Sequence, residues 1–312
     1  MPILGVIASA ISGNLSQPST FLSTVYNDNK SATSTDGGVT WTARTLPSSN
    51  TWIVCAYGNS QFLIVANAST SAATSTDGIT WTTRTMPTAS AWGQAVYAAG
   101  KWVVSGQNDP SVYSRSTDSG ATWSNSTSGS GGYVGIAFGN SVFVTAETTA
   151  NVGNAARYSS STDTGTWSSS GSLGASTGWG RLFYGANGGF IVCNNLSNNY
   201  VSQSQTGTGS FTLRTLPATA NWNTCLAYGN GTWAYFAYNS SQAAYSTNGT
   251  SWTSQTSPIS TGWSSMQYST AKSKFIAVSD GGTIATSTTG TGSWTTTTLP
   301  AVANYYGLAV SA

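Results

Sequence analysis

The chain has 312 residues, of which 6% are charged; its formal net charge is +2 and it has no histidine. So weak a charge excludes a basic nucleic-acid groove, and the missing histidine excludes Ser-His-Asp and Cys-His catalysis and most zinc sites. Thirteen tryptophans, 35 glycines and a single glutamate (Glu147), amid much Ser, Thr and Asn, point to an all-β chain rather than a disordered one.

Residues 1–19 precede the first predicted strand. Their apolar start, "MPILGVIASAISGNL", lacks the basic flank of a secretory signal. No run of eighteen apolar residues occurs, so no membrane insertion is expected. Strands begin with "TFLSTVYNDNKSATSTDG" from Thr20, which aligns with "QFLIVANASTSAATSTDG" from Gln61. Both runs lead into an octet that recurs: "STDGGVTW" ends at Trp41, "STDGITW" at Trp81, "STDSGATW" at Trp123 and "STDTGTW" at Trp167. Altered copies follow: "SQTGTGSF" ends at Phe211, "STNGTSW" at Trp252 and "STTGTGSW" at Trp294. The spacing is 40 to 44 residues, a period that predicts a propeller with four strands per blade and seven blades.

Each unit has the same internal order. An aromatic opens an apolar strand at Trp52, Trp92, Tyr133, Trp179, Trp222, Trp263 and Tyr305. In most units a second aromatic follows five residues later, as in "WIVCAYG", and a Gly/Asn hairpin leads to a second strand such as "QFLIVA". A short third strand enters the octet, and the fourth leaves from its tryptophan. The N-terminal unit lacks a first strand, whereas "NYYGLAVSA" from Asn304 is a first strand without a successor. The C-terminal strand is therefore expected to pair with the three N-terminal strands and close the ring, removing its open edges. The propeller is placed at residues 20–312 and a docking segment at 1–19. Cys55, Cys193 and Cys225 are an odd number without clustered spacing and lie in apolar strand-like runs, so buried free thiols are expected rather than a disulfide framework.

The pattern Ser-x-Asp-x-Gly-x-Thr-Trp resembles the Asp-box, or BNR repeat, found in sialidases, other propeller glycosidases, sortilin-type receptors and photosystem II assembly propellers. The resemblance implies the fold and says little about activity. A carboxylate in a tight turn accepts backbone N–H groups, glycine supplies a positive φ, and the tryptophan packs between sheets. Asp36, Asp77, Asp118, Asp163 and Asn248 are read as these structural turn caps, because Thr206, Asn248 and Thr289 replace the aspartate elsewhere.

Strand order puts the octets and the first hairpins on one face, leaving the opposite face as the expected site. The seven strand-start aromatics, Trp52, Trp92, Tyr133, Trp179, Trp222, Trp263 and Tyr305, are expected to ring its centre, although such repeated aromatics also fit packing between blades. Polar loop residues join them: Asp109, Glu147, Asn194, Asn239 and Asp280, with Asn27, Asp28, Asn67 and Asn195. Aromatic faces beside amides and carboxylates suit a carbohydrate. One stacked sugar face contributes only ~1 kcal/mol, so strength would come from multivalency.

No catalytic residue, metal or cofactor is assigned. The sialidase resemblance implies an arginine triad, but Arg44, Arg84 and Arg214 recur at equivalent outer positions, and Arg181 alone falls on a first strand. The N-terminal peptide resembles a short apolar leader of tailed-phage structural proteins. That resemblance implies a virion protein made in the host cytoplasm and docked to virion partners through residues 1–15. The alternative location is secreted. The function expected is a virion propeller, of tail, fibre or adhesin type, that binds a host-surface glycan. A structural or protein-binding propeller is second and a sialidase-like glycosidase third.

Overall fold

The structure, a computed structural model, describes residues 19–106, 112–127, 133–147, 155–160, 167–174, 178–260, 262–301 and 303–311. All of its regular elements are antiparallel strands. The first sheet joins Tyr305–Val310 to Phe21–Val25, Asp28–Ser34 and Thr42–Asn50, in that order. Phe21 pairs with Val310 and Leu22 with Ala309, so the C-terminal strand completes the N-terminal sheet. Four more sheets of four strands lie within residues 52–90, 92–127, 133–172 and 263–298.

The sixth sheet, residues 179–256, has seven strands. The period predicts two separate sheets there. They are fused because the fourth strand of one unit runs on without a break into the first strand of the next, giving the 18-residue strand Thr212–Gly229. Its start pairs with Ser197–Ser204 and its end with Thr232–Tyr238. The corresponding connection elsewhere is broken, as between Asn50 and Trp52.

The strands Trp52–Gly58, Trp92–Ala98, Tyr133–Gly139, Trp179–Gly185, Thr212–Gly229, Trp263–Ser269 and Tyr305–Val310 lie side by side in a closed circuit. They form the inner wall of the propeller. The second strands supply most of the core: Phe62 to Ala66 and Phe190 to Cys193 are fully buried, because both faces of these strands meet neighbouring sheets.

The two faces follow the predicted assignment. Asn59, in a first hairpin, donates from Nδ2 to Ser119 Oγ in the next unit's octet at 2.6 Å. Asn140 Nδ2 likewise reaches the Gln205 carbonyl at 2.9 Å. At the other face the second–third loops bond to the connections that precede the inner strands: Asn67 N to Thr51 O at 2.8 Å, Asn195 N to Gly178 O at 3.0 Å and Asp280 N to Gly262 O at 2.8 Å.

Candidate functional site

The octets are structural turns in all six copies that are described; Asp163 lies outside the described residues. In each copy the serine Oγ accepts the glycine N–H: Gly38 to Ser34 (3.0 Å), Gly78 to Ser75 (2.8 Å), Gly120 to Ser116 (2.8 Å), Gly207 to Ser204 (3.1 Å), Gly249 to Ser246 (2.9 Å) and Gly290 to Ser287 (3.1 Å). These glycines have φ between 70° and 84°, which a side chain would strain. Asp36 adds a second layer. Its carboxylate accepts the Val39 and Thr40 N–H groups at 3.0 Å and the Ser34 and Thr40 hydroxyls. Desolvation opposes ionisation there, but these bonds outweigh it and hold Asp36 at about 2. The Thr122 hydroxyl and N–H, with Ser116, hold Asp118 well below the usual carboxylate range. Backbone N–H groups of Thr80 and Ile79 lower Asp77 against its desolvation, and Asn248 accepts the equivalent pair at 2.9 Å without a charge.

The strand-start aromatics do not form an open binding ring. Trp52, Trp92, Trp179, Trp222, Trp263 and Tyr305 are at most 2% exposed. Each packs against the preceding unit: Trp52 on Leu22 and Leu46, Trp92 on Leu63 and Met86, Tyr305 on Ile276 and Leu299. A pairing irregularity sits beside every one, as between Trp52 and Val54, and disturbs the two-residue alternation of the strand there. The indole N–H groups are also consumed by backbone carbonyls: Trp52 by Ser48 (3.0 Å), Trp92 by Ser69 (3.0 Å), Trp222 by Ala218 (3.0 Å) and Trp263 by Ile259 (3.2 Å). The Tyr133 side chain lies outside the described residues, although its backbone opens an inner strand.

The polar candidates do not converge either. Asn194 is fully buried, and its Oδ1 accepts the Leu196 N–H at 2.9 Å. Asp280 accepts the Tyr238 hydroxyl at 3.2 Å, and its backbone is tied to Gly262 and Tyr305. Asn239 is exposed at a loop tip with φ 49°. Asp28 pairs with Lys30 at 2.7 Å. Asp109 and the side chain of Glu147 lie outside the described residues. Among the described residues no group of three His, Cys, Asp or Glu side chains is placed to hold a metal ion, and no helix is long and apolar enough to cross a membrane.

One concave feature is the axial channel inside the inner strands; a separate surface hollow of about 370 Å³ lies at Lys101, Arg115 and Trp123. The channel's larger chamber, about 300 Å³, is lined from the octet-side ends of the inner strands, with Tyr57, Tyr97, Phe138 and Tyr184 around it. These second aromatics are half-buried, as are Tyr228 and Tyr268 at the same position of later units. Four of them sit over a glycine at the end of the preceding inner strand. A Cβ at Gly58 would overlap Tyr97, at Gly139 Tyr184, at Gly185 Tyr228 and at Gly229 Tyr268. Tyr184 donates to Asn140 Oδ1 at 2.9 Å, and Tyr228 accepts the Asn187 N–H at 3.2 Å. Sequence order assigned ligand binding to the opposite face; the larger chamber of the channel and its aromatic rim lie toward the octet face. The signal was present in the repeated "YG" and "FG" pairs.

A smaller chamber of about 190 Å³ lies toward the opposite face, bordered by Tyr306, Asn195, Asn223 and Thr224. Ile53 and Arg181 line both chambers. Gln94 crosses the interior: its Nε2 donates to Leu182 O at 3.0 Å and its Oε1 accepts Ile136 N and Leu182 N at 3.3 Å, tying three inner strands together. Cys193 and Cys225 are buried free thiols, while Cys55 is half-buried and borders the channel.

No protein-family model and no curated protein matches the sequence. Solved structures do match the fold. Virginiamycin B lyase from Staphylococcus aureus is 12% identical with a TM-score of 0.68, over 80% of this chain and 85% of that one. A streptogramin B lyase is 11% identical with a TM-score of 0.68, over 91% and 88%. YCF48 bound to a D1 peptide is 17% identical with a TM-score of 0.62, over 80% and 83%. At these identities the likeness is one of fold: a β-propeller ring of four-stranded blades.

Proposed function

We propose that the protein is a non-catalytic binding propeller whose site is the axial channel. The observation that carries this reading is the half-buried aromatic rim around the larger chamber, set against the closed ring of strand-start aromatics. Half-buried aromatic rings beside the polar side chains of Gln94, Gln267 and Arg181 suit a sugar: its apolar face packs on the rings while its hydroxyls bond to fixed polar groups. A host-surface carbohydrate therefore remains the ligand class, with Tyr57, Tyr97, Phe138 and Tyr184 as contacts in place of Trp52 and its repeats. The octets are read as Asp-box turns, and the seven-stranded sheet as two blades joined through residues 212–229, which makes seven blades. Among the carboxylates weighed for catalysis, Asp28 is spent on Lys30 and Asp280 on Tyr238, which leaves no acid–base pair described at the channel. Residues 1–15 are read as the virion-docking segment.

A glycan array tests this reading with the intact chain and with Tyr97→Leu and Tyr184→Leu, which keep bulk but remove the stacking ring. Binding that falls at least tenfold in both variants supports it. No glycan binding, or binding indifferent to both changes, overturns it. Deleting residues 1–15 should abolish incorporation into particles; unchanged incorporation would refute the docking role. A protein-binding propeller is the second reading, favoured by the peptide held in the YCF48 structure. It predicts an empty array and capture of a peptide at the same rim.

A further inference from the structure

Arg181 differs from the repeated outer-strand arginines Arg44, Arg84 and Arg214. Arg44, Arg84 and Arg214 each donate to a side chain on the neighbouring strand: Thr33 (3.0 Å), Thr74 (3.1 Å) and Gln203 (3.0 Å). Arg181 is the third residue of the inner strand Trp179–Gly185 and borders both chambers of the channel. Its guanidinium carbon lies 5.6 Å from the centroid of the Tyr306 ring. Among the described residues it has no hydrogen-bond or ion-pair partner, and no carboxylate lines either chamber.

The groups around it cannot supply the missing charge. Burial pushes the thiols of Cys55, Cys193 and Cys225 up, Cys193 to about 12, although the charge of Arg181 works against that shift at all three. None is a thiolate near neutral pH. The Gln94 amide is occupied by the backbone of the inner strands. A guanidinium stays protonated in a protein, and half-burying it without a counter-charge costs solvation. An oxyanion meeting its planar fork restores that loss through paired charge-assisted hydrogen bonds.

We propose that the channel recognises a small carboxylate-bearing ligand, with Arg181 binding the carboxylate and the rim aromatics covering the ligand's apolar face. This rests on the reading of the channel as the binding site. A chamber of about 300 Å³ admits a group the size of one sugar acid or one benzoate.

Calorimetric titration of the intact chain with matched probes tests it: glucuronate against glucose, and benzoate against benzyl alcohol. The acid of at least one pair should bind at least tenfold more tightly than its neutral partner, and added salt should weaken the acid alone. Arg181→Gln should erase that preference, and Arg181→Lys should keep part of it without the bidentate geometry. Both variants should stay folded and melt close to the parent, since Arg181 makes no hydrogen bond to another described residue and Arg181→Gln gives up only its contact with the Tyr306 ring. Equal binding of acid and neutral probes, or a preference that survives Arg181→Gln, overturns the proposal. If glucose still binds and Tyr97→Leu weakens it, the charge proposal alone falls. If none of the four probes binds, the channel reading falls with it.

Discussion

Two sets of aromatics repeat along the inner strands, one at each end. Trp52 and Tyr57 belong to the same seven-residue strand, yet Trp52 is 1% exposed while Tyr57 remains half-buried at the channel rim. The strand-start ring sits beside a break in pairing, fills the gap to the preceding sheet and gives its N–H groups to backbone carbonyls. At Tyr97, Tyr184, Tyr228 and Tyr268 the rim ring lies over a glycine of the preceding inner strand, where a Cβ would overlap it. The same residue class thus cements the sheets at one end and is available for contact at the other, and the local backbone sets the difference.

The comparison can be broken most severely at the ring closure. Deleting residues 304–312 removes the strand that pairs with Phe21–Val25 and leaves that buried strand as an open edge. Loss of cooperative melting and aggregation in size-exclusion chromatography are expected; a soluble, normally melting truncation would contradict the closure. Next in size is Trp222→Ala, which empties a fully buried site and should cost ~3–5 kcal/mol in urea unfolding. Tyr97→Leu at the rim should cost less than half of that, and an equal cost would erase the distinction between the rings. Gly229→Ala forces the Tyr268 ring off its seat and should cost ~1–3 kcal/mol, whereas Gly100→Ala, where a Cβ meets nothing within 4 Å, should show only the strain of its positive φ.

The smallest effects belong to the octets. Asp36→Asn should change stability by less than ~0.5 kcal/mol, because Asn248 already serves the same turn, and Asp36→Ala by ~1 kcal/mol on this exposed surface. Since Asp36 is held at about 2, below its ordinary 3.8, its contribution is complete above pH 3.8 and is lost as pH falls through 2. Melting curves of the parent and Asp36→Ala should therefore converge between pH 4 and pH 2; a constant gap would show that the charge plays no part.

The repeat was legible because each octet needs its serine and glycine locally. The Ser–Gly bond persists in every described copy, while the aspartate is lost from several, so spacing survived where identity drifted. The split first sheet was legible for the same reason: an inner strand without a successor and a second strand without a predecessor require each other. The fused sheet was not, because whether "TLRTLPATANWNTCLAYG" breaks near Ala220 depends on the sheets it joins.

By itself the sequence determined the all-β propeller, its period, the role of the octets and the sharing of one sheet between the chain's two ends. These follow from turn chemistry and strand alternation, which act over a few residues. Only the tertiary structure decided which aromatic ring is closed, that the larger chamber of the channel lies toward the octet face, and that Arg181 borders both chambers with no counter-charge among the described residues. Those outcomes depend on what the neighbouring sheet presents at the same height, a glycine or a filled core, and a single repeat does not contain that information.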